Sequence, residues 1–215
     1  METEIKAAVE TGAAVAPEEK KYVIVPKTPY RFEGEEYPEI DLSGLEKLMV
    51  GDVIDAQKIM QDTGETAAMT VCETTTAFAH VLAARAAEKP IEFFQFMPRG
   101  LSKRVSAAVR EALGEQGGGT ENHVLRFAKP HVCDGQERAE VDLSGLYEMT
   151  GMDEGAAENR MAREGFVVTE TRLNYLYACF MAGRATGLGE KFFITLPLCE
   201  ALKLKNAVND PDFFE

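Results

Sequence analysis

The chain carries one sequence pattern twice. Glu39-Ile40-Asp41-Leu42-Ser43-Gly44-Leu45 returns as Glu140-Val141-Asp142-Leu143-Ser144-Gly145-Leu146, an offset of 142 − 41 = 101 positions. Val23, Pro29, Gly34 and Glu36 recur upstream at the same offset, as Val124, Pro130, Gly135 and Glu137. Asp52, Ala56 and Met60 recur downstream as Asp153, Ala157 and Met161. The offset then falls to 99. Arg85-Ala86 matches Arg184-Ala185, Phe93-Phe94 matches Phe192-Phe193, Pro98 matches Pro197, and Ala108-Val109 matches Ala207-Val208. A period of this length exceeds that of solenoid repeats and has the size of a small domain. It implies a tandem duplication. Each unit is small enough that its own core is modest, so the two are expected to lean on each other or on a partner.

The boundary between units has its own signature. Residues 114–122, Gly-Glu-Gln-Gly-Gly-Gly-Thr-Glu-Asn, have linker composition and end just before the pattern restarts at Val124. Their composition favours free movement of one unit against the other. Residues 1–20 are rich in Ala and Glu without a sustained apolar period and are expected to form a flexible tail. The expected organisation is a tail (1–20), a first repeat domain (21–113), the linker (114–122) and a second repeat domain (123–215).

Each repeat reads as α+β, a β-hairpin followed by about four mostly short helices. Tyr22-Val23-Ile24-Val25 and Tyr37 to Leu42 flank a turn at Gly34, and Val124 to Phe127 and Ala139 to Leu143 flank one at Gly135. Ser43-Gly44 and Ser144-Gly145 close the hairpins, with glycine expected to supply positive φ. Helices are predicted near 52–62 and 152–164, with Thr150 and Asp153 as a capping pair. Longer ones follow over 66–87 and 168–186. Phe78, Val81 and Leu82 on the first, with Tyr177, Phe180 and Met181 on the second, are expected core positions. A short piece holding Phe93, Phe94 and Phe96, or Phe192 and Phe193, precedes Pro98 or Pro197. Closing helices are predicted at about 99–113 and 197–208.

Net charge is −13 and the sequence pI near 4.8, which argues against nucleic acid and against an anionic membrane surface. No apolar run approaches the ~20 residues of a membrane span, and no basic-then-apolar leader opens the chain. Cys72, Cys133, Cys179 and Cys199 fall at non-equivalent places in the two units and form no CxxC, so free thiols in a reducing cytoplasm are expected.

Catalytic patterns are not evident. His80, His123 and His131 stand where the other unit has Cys179, Tyr22 and Tyr30, and no phosphate-binding loop, HExxH or GxSxG is present. The duplicated aspartates, Asp41/Asp142 and Asp52/Asp153, fit turn and helix-start chemistry. Arg85 and Arg184 near the helix ends fit the helix dipole. No enzyme activity, cofactor or metal is expected.

The pattern of a short hairpin, an [IV]-D-L-S-G-L segment and an acidic first helix resembles the tail assembly chaperones of long-tailed phages and of prophages of Gram-positive bacteria. The resemblance rests on Phe32 to Leu45, Ala83 to Ala87, Ile91 to Phe94 and Pro98 to Val109. It rests again on Glu137 to Leu146, Ala182 to Gly187, Lys191 to Phe193 and Pro197 to Val208. It covers most of the chain after residue 21, although members of that family commonly carry one such unit rather than two.

The resemblance implies a non-catalytic protein of the bacterial host cytoplasm. It would bind and solubilise the tape measure protein during tail assembly and be missing from the mature virion. Tail tube protein and self-association are further implied partners. An acidic module with an apolar groove suits that task, because a long unassembled helical chain exposes apolar stripes. The alternatives are a structural tail or neck component of the virion, or an unrelated two-module cytoplasmic adaptor. The candidate contact residues are Phe93, Phe94, Phe96, Phe192 and Phe193, with Phe213 and Phe214 in the acidic C-terminal segment. The competing reading of the Phe-Phe pairs is that they fill the core beneath the hairpins.

Overall fold

A computed structural model describes residues 21–64, 72–114 and 123–214. The predicted tail at 1–20, the predicted start of the first long helix at 66 and most of the predicted linker lie outside the described residues. The fold is mixed α+β. Strands β1 (Val23–Ile24), β2 (Tyr30–Phe32), β3 (Glu35–Tyr37) and β4 (Ile40–Asp41) are followed by helices α1 (Val50–Asp62), α2 (Thr76–Ala87), α3 (Ile91–Gln95) and α4 (Arg99–Ala112). Then come β5 (Val124–Cys133), β6 (Gln136–Asp142) and helices α5 (Gly151–Arg163), α6 (Tyr175–Thr186), α7 (Glu190–Ile194) and α8 (Ala201–Val208). Short 3-10 turns at Ser43–Lys47 and Ser144–Glu148 link hairpin to helix on each side.

Proline content decides how the two hairpins differ. β2 pairs with β3 around Glu33-Gly34, and β5 with β6 around Asp134-Gly135. All four loop residues have positive φ, the requirement of a two-residue primed turn. Pro26, Pro29 and Pro38 lack the N–H a ladder needs, so the first hairpin splits into two short pairs, β1–β4 and β2–β3. The second keeps only Pro130. It runs as two longer strands with a register shift between Arg126 and His131.

The duplicated aspartates do the predicted turn and cap work. Asp41 and Asp142 each accept from the backbone N–H two residues on, at Ser43 and Ser144, both at 2.8 Å. Asp52 accepts from Met49 N–H (2.7 Å) and Asp153 from Thr150 N–H (2.9 Å), which closes the starts of α1 and α5. These bonds hold the Asp142 and Asp153 carboxyls below the usual range. Arg85 and Arg184 lie in the last turns of α2 and α6, as expected, and they also cross to the preceding helix, Arg85 to Asp52 (2.9 Å) and Arg184 to Asp153 (2.6 Å).

Two expectations are corrected. The long helices begin at Thr76 and Tyr175, later than predicted. The second is preceded by extended residues and a 3-10 turn at Thr171–Leu173, because Asn174 caps it by accepting from Leu176 and Tyr177 N–H. Thr75 does the same for Phe78 N–H in the first. Gly44 and Gly145 do not have positive φ. They are glycines because the chain passes too close for a side chain: a Cβ would lie 2.0 Å from Ala86 O at Gly44 and 2.3 Å from Ala185 O at Gly145. Gly44→Ala or Gly145→Ala should therefore destabilise the fold by about 1–3 kcal/mol in urea denaturation. Gly155→Ala, mid-helix with open space around it, should be neutral or stabilising.

The two sequence halves share one hydrophobic core, contrary to the freedom the linker suggested. The backbone of Leu48–Val50 bonds that of Leu196–Leu198. Val50 N–H donates to Leu196 O (2.9 Å) and Leu198 N–H to Leu48 O (2.8 Å). On α1, the Gln57 carboxamide donates to Leu173 O (2.9 Å) and accepts from Tyr175 N–H (3.0 Å). Gln61 likewise donates to Gly165 O and accepts from Val167 N–H. Glu73, Lys205 and the Tyr175 hydroxyl make a buried polar cluster across the same boundary. Burial alone would raise the Glu73 carboxyl, but the Lys205 ammonium and the bonds from Lys205 and Tyr175 outweigh it and hold it below its ordinary value. No described helix is long and apolar enough to cross a membrane.

Candidate partner-binding surface

Placement in the fold separates the seven candidate aromatic residues. Phe93 and Phe94 lie on α3 and are buried, as are Phe192 and Phe193 on α7. Helical geometry turns adjacent rings into different layers of one core. Phe93 meets Tyr30, Phe32 and Tyr37 of the hairpin edge-on, at centroid distances of 5.1, 5.3 and 4.8 Å. Tyr30 also donates its hydroxyl to Phe93 O (2.8 Å). Phe192 meets His131 edge-on (5.0 Å) and Phe127 at a tilt (6.1 Å). Phe93 and Phe192 fasten hairpins to helices, and all four rings are buried. That is the core alternative, and it removes them from the contact surface.

Phe96 is the opposite case, at 72% exposed. It caps the C-terminal end of α3 just before Pro98, where the chain turns to start α4. Phe213 sits part-way. Its ring packs against His123 (4.5 Å) and Tyr147 (4.9 Å), so the C-terminal turn docks back onto the fold. The Phe214 side chain lies outside the described set.

Around Phe96 the structure opens a groove of about 770 Å³ between the Pro26–Arg31 segment and the first turns of α4. Its origin is the split first hairpin, since Pro26 and Pro29 hold that segment away from the ladder. Tyr30, Pro98 and Leu101 supply apolar walls. Lys27, Arg31 and Arg104 supply three cations, and among the described residues no carboxylate lines it. In a chain of net charge −13 this is a local inversion of sign. Arg104 is anchored by donating to Val25 O (2.7 Å), and Arg31 by its pair with Glu36. Sequence reasoning pointed to Phe96 only as one of a trio. The prolines of the first hairpin, with no counterpart for Pro26 in the second, were the signal that the groove would form here.

Other titratable groups serve the fold. His80 is buried against the Ser102 hydroxyl (2.8 Å) and His131 lies beside Thr195 (3.1 Å), and burial lowers both. Cys72 and Cys179 are buried thiols. Burial pushes Cys72 up to about 12 and Cys179 further, which makes them poor nucleophiles. Among the described residues no group of three or more His, Cys, Asp or Glu side chains is placed to hold a metal ion. A second, smaller cleft of about 230 Å³ lies beside the Glu73–Lys205 pair.

Comparison with protein-family models, with curated proteins and with solved structures finds no match to this chain.

Proposed function

We propose that the chain is a tandem duplication that works as a phage tail assembly chaperone, binding and shielding a long helical partner, the tape measure protein, in the host cytoplasm. The observation that carries a binding role is the groove at Phe96, with a large exposed ring at its mouth and the remaining Phe-Phe rings withdrawn into the core. Duplication is supported by the order of elements. α1 and α5 start 151 − 50 = 101 residues apart, and α2/α6 and α3/α7 start 99 apart, the two offsets of the sequence pattern. The Asp52–Arg85 and Asp153–Arg184 pairs repeat at those offsets too.

The physics of the task fits the chain. A large negative charge keeps complexes of a sticky client apart in solution. Co-expression with the very long reading frame of the same tail gene cluster should give a soluble, co-purifying complex, and mass spectrometry of purified particles should lack this chain. A client that is equally soluble alone, or stoichiometric amounts of this chain in particles, would exclude the chaperone role. The second outcome would favour a structural tail component.

A further inference from the structure

We infer that the Phe96 groove receives an acidic segment of a partner polypeptide, with one carboxylate seated between the Lys27 backbone and Arg104 and an apolar side chain laid against Phe96. The inference rests on the duplication reading above and adds the chemistry of the occupant.

The second half shows what fills the equivalent place. At the two offsets, Lys27 corresponds to Ala128, Leu101 to Glu200 and Arg104 to Lys203. There the space is closed from within. The Glu200 side chain is 1% exposed, accepts from Ala128 N–H (2.6 Å) with one oxygen and pairs with Lys203 Nζ (3.2 Å) through the other. A buried carboxylate is costly unless charge and hydrogen bonds compensate it, and this arrangement supplies both. In the first half the cation is kept as Arg104 and the backbone is kept at Lys27, but Leu101 replaces the glutamate. The strand segment then stands off from α4 and the groove stays open.

Charge complementarity points the same way. Lys27 and Arg104, with Arg31 already paired to Glu36, face an opening that no described carboxylate lines, on a molecule that is otherwise strongly acidic. The overall charge repels an acidic chain at long range, so only a segment that reaches the groove is rewarded. That gives selectivity for acidic residues next to an apolar anchor rather than for charge alone. A basic or neutral amphipathic helix gains nothing from these cations. Nor does α4 add repulsion for a carboxylate, since its first turn holds no acidic residue.

The test uses the full chain and a fluorescein-labelled peptide, Glu-Glu-Leu-Phe-Glu-Glu, with versions in which every Glu is Gln or Lys. Fluorescence anisotropy at low and moderate salt should show binding of the Glu peptide at least tenfold tighter than of the Gln peptide, and weakening as salt rises. Arg104→Glu should lower that affinity at least tenfold. Leu101→Glu, which installs the carboxylate found in the second half, should do the same by occupying the place. Phe96→Ser, at an exposed position, should weaken binding while leaving thermal unfolding unchanged, which guards against a misfolded variant. Equal binding of Glu and Gln peptides, or wild-type affinity in both Arg104→Glu and Phe96→Ser, overturns the inference. So does displacement of the peptide by self-association in sedimentation experiments, which would assign the groove to a second copy. If the long tail-cluster partner co-purifies equally with wild type and Arg104→Glu, the groove proposal fails while the chaperone role stands. If the Glu peptide binds as expected but the long partner does not co-purify, the groove stands and the chaperone role fails.

Discussion

Lys205→Met should cost the protein about 3–5 kcal/mol of folding stability at neutral pH, read as a fall in the urea midpoint. The substitution preserves most of the side-chain volume, so the loss is electrostatic. It leaves the Glu73 carboxylate buried without its counter-charge, and one Glu73 oxygen already has no hydrogen-bond partner. The effect should be pH-dependent with a definite sign. In the wild type the Glu73 carboxyl is held below its ordinary value. It therefore adds stability above the unfolded-state pKa, and that contribution is lost as pH falls through the folded-state value. In the variant, burial without Lys205 raises the carboxyl, so its penalty is relieved on acidification. The gap between wild type and variant should be widest near pH 7 and narrow towards pH 4. A gap that does not change with pH would show that Glu73 is not ionised in the folded protein. Because the pair joins Glu73 of one half to Lys205 of the other, the same variant should also loosen the halves, giving earlier proteolysis near the linker.

Phe94→Ala and Phe193→Ala should each destabilise by about 3–5 kcal/mol, since both rings are fully buried among other side chains. The expectation is specific to burial rather than to residue type. Phe96, two positions after Phe94 and equally large, should change stability by no more than about 0.5 kcal/mol when made serine. Phe94 and Phe193 occupy equivalent positions, 193 − 94 = 99 apart, so similar losses are expected at both. Unfolding should remain a single transition in each variant, because the two halves share one core. Two resolved transitions would show that the halves unfold independently and that their contact is weak. A Phe94→Ala variant that kept full stability would reopen the contact role for the Phe-Phe elements.

The interface between the halves also explains why the glutamines of α1 matter. A carboxamide both donates and accepts, and Gln57 does both within one pair of backbone groups, Leu173 O and Tyr175 N–H. A glutamate could accept but not donate. At the equivalent place in α5 the chain carries Glu158. The two sequence halves thus differ at the surface that joins them.

Much of the secondary structure was written in the sequence. Local chemistry controls it: Glu33-Gly34 and Asp134-Gly135 can hold positive φ, Asp52 and Asp153 can reach back to cap a helix, and Pro98 can only start one. The offsets of 101 and 99 carry into the starts of α1/α5, α2/α6 and α3/α7, but Pro197 leads into a 3-10 turn at Leu198–Glu200, so α8 begins at Ala201, later than the 197 predicted, and 201 − 99 = 102 residues after α4 begins. What the sequence did not determine depends on distance between segments far apart in the chain. Gly44 looks like a turn residue until Ala86 O is seen 2.0 Å from where its Cβ would be. Arg85 reads as a helix-end cation, which it is, but only the fold shows that it also reaches Asp52 across the helix pair. Phe93, Phe94 and Phe96 look alike in sequence, and only the placing of the hairpin over α3 buries two and leaves the third at the mouth of a groove. The linker suggested loose halves because composition reports the entropy of a segment. Whether two modules associate depends instead on the apolar surface and hydrogen bonds they offer each other, and that complementarity exists only once both are folded.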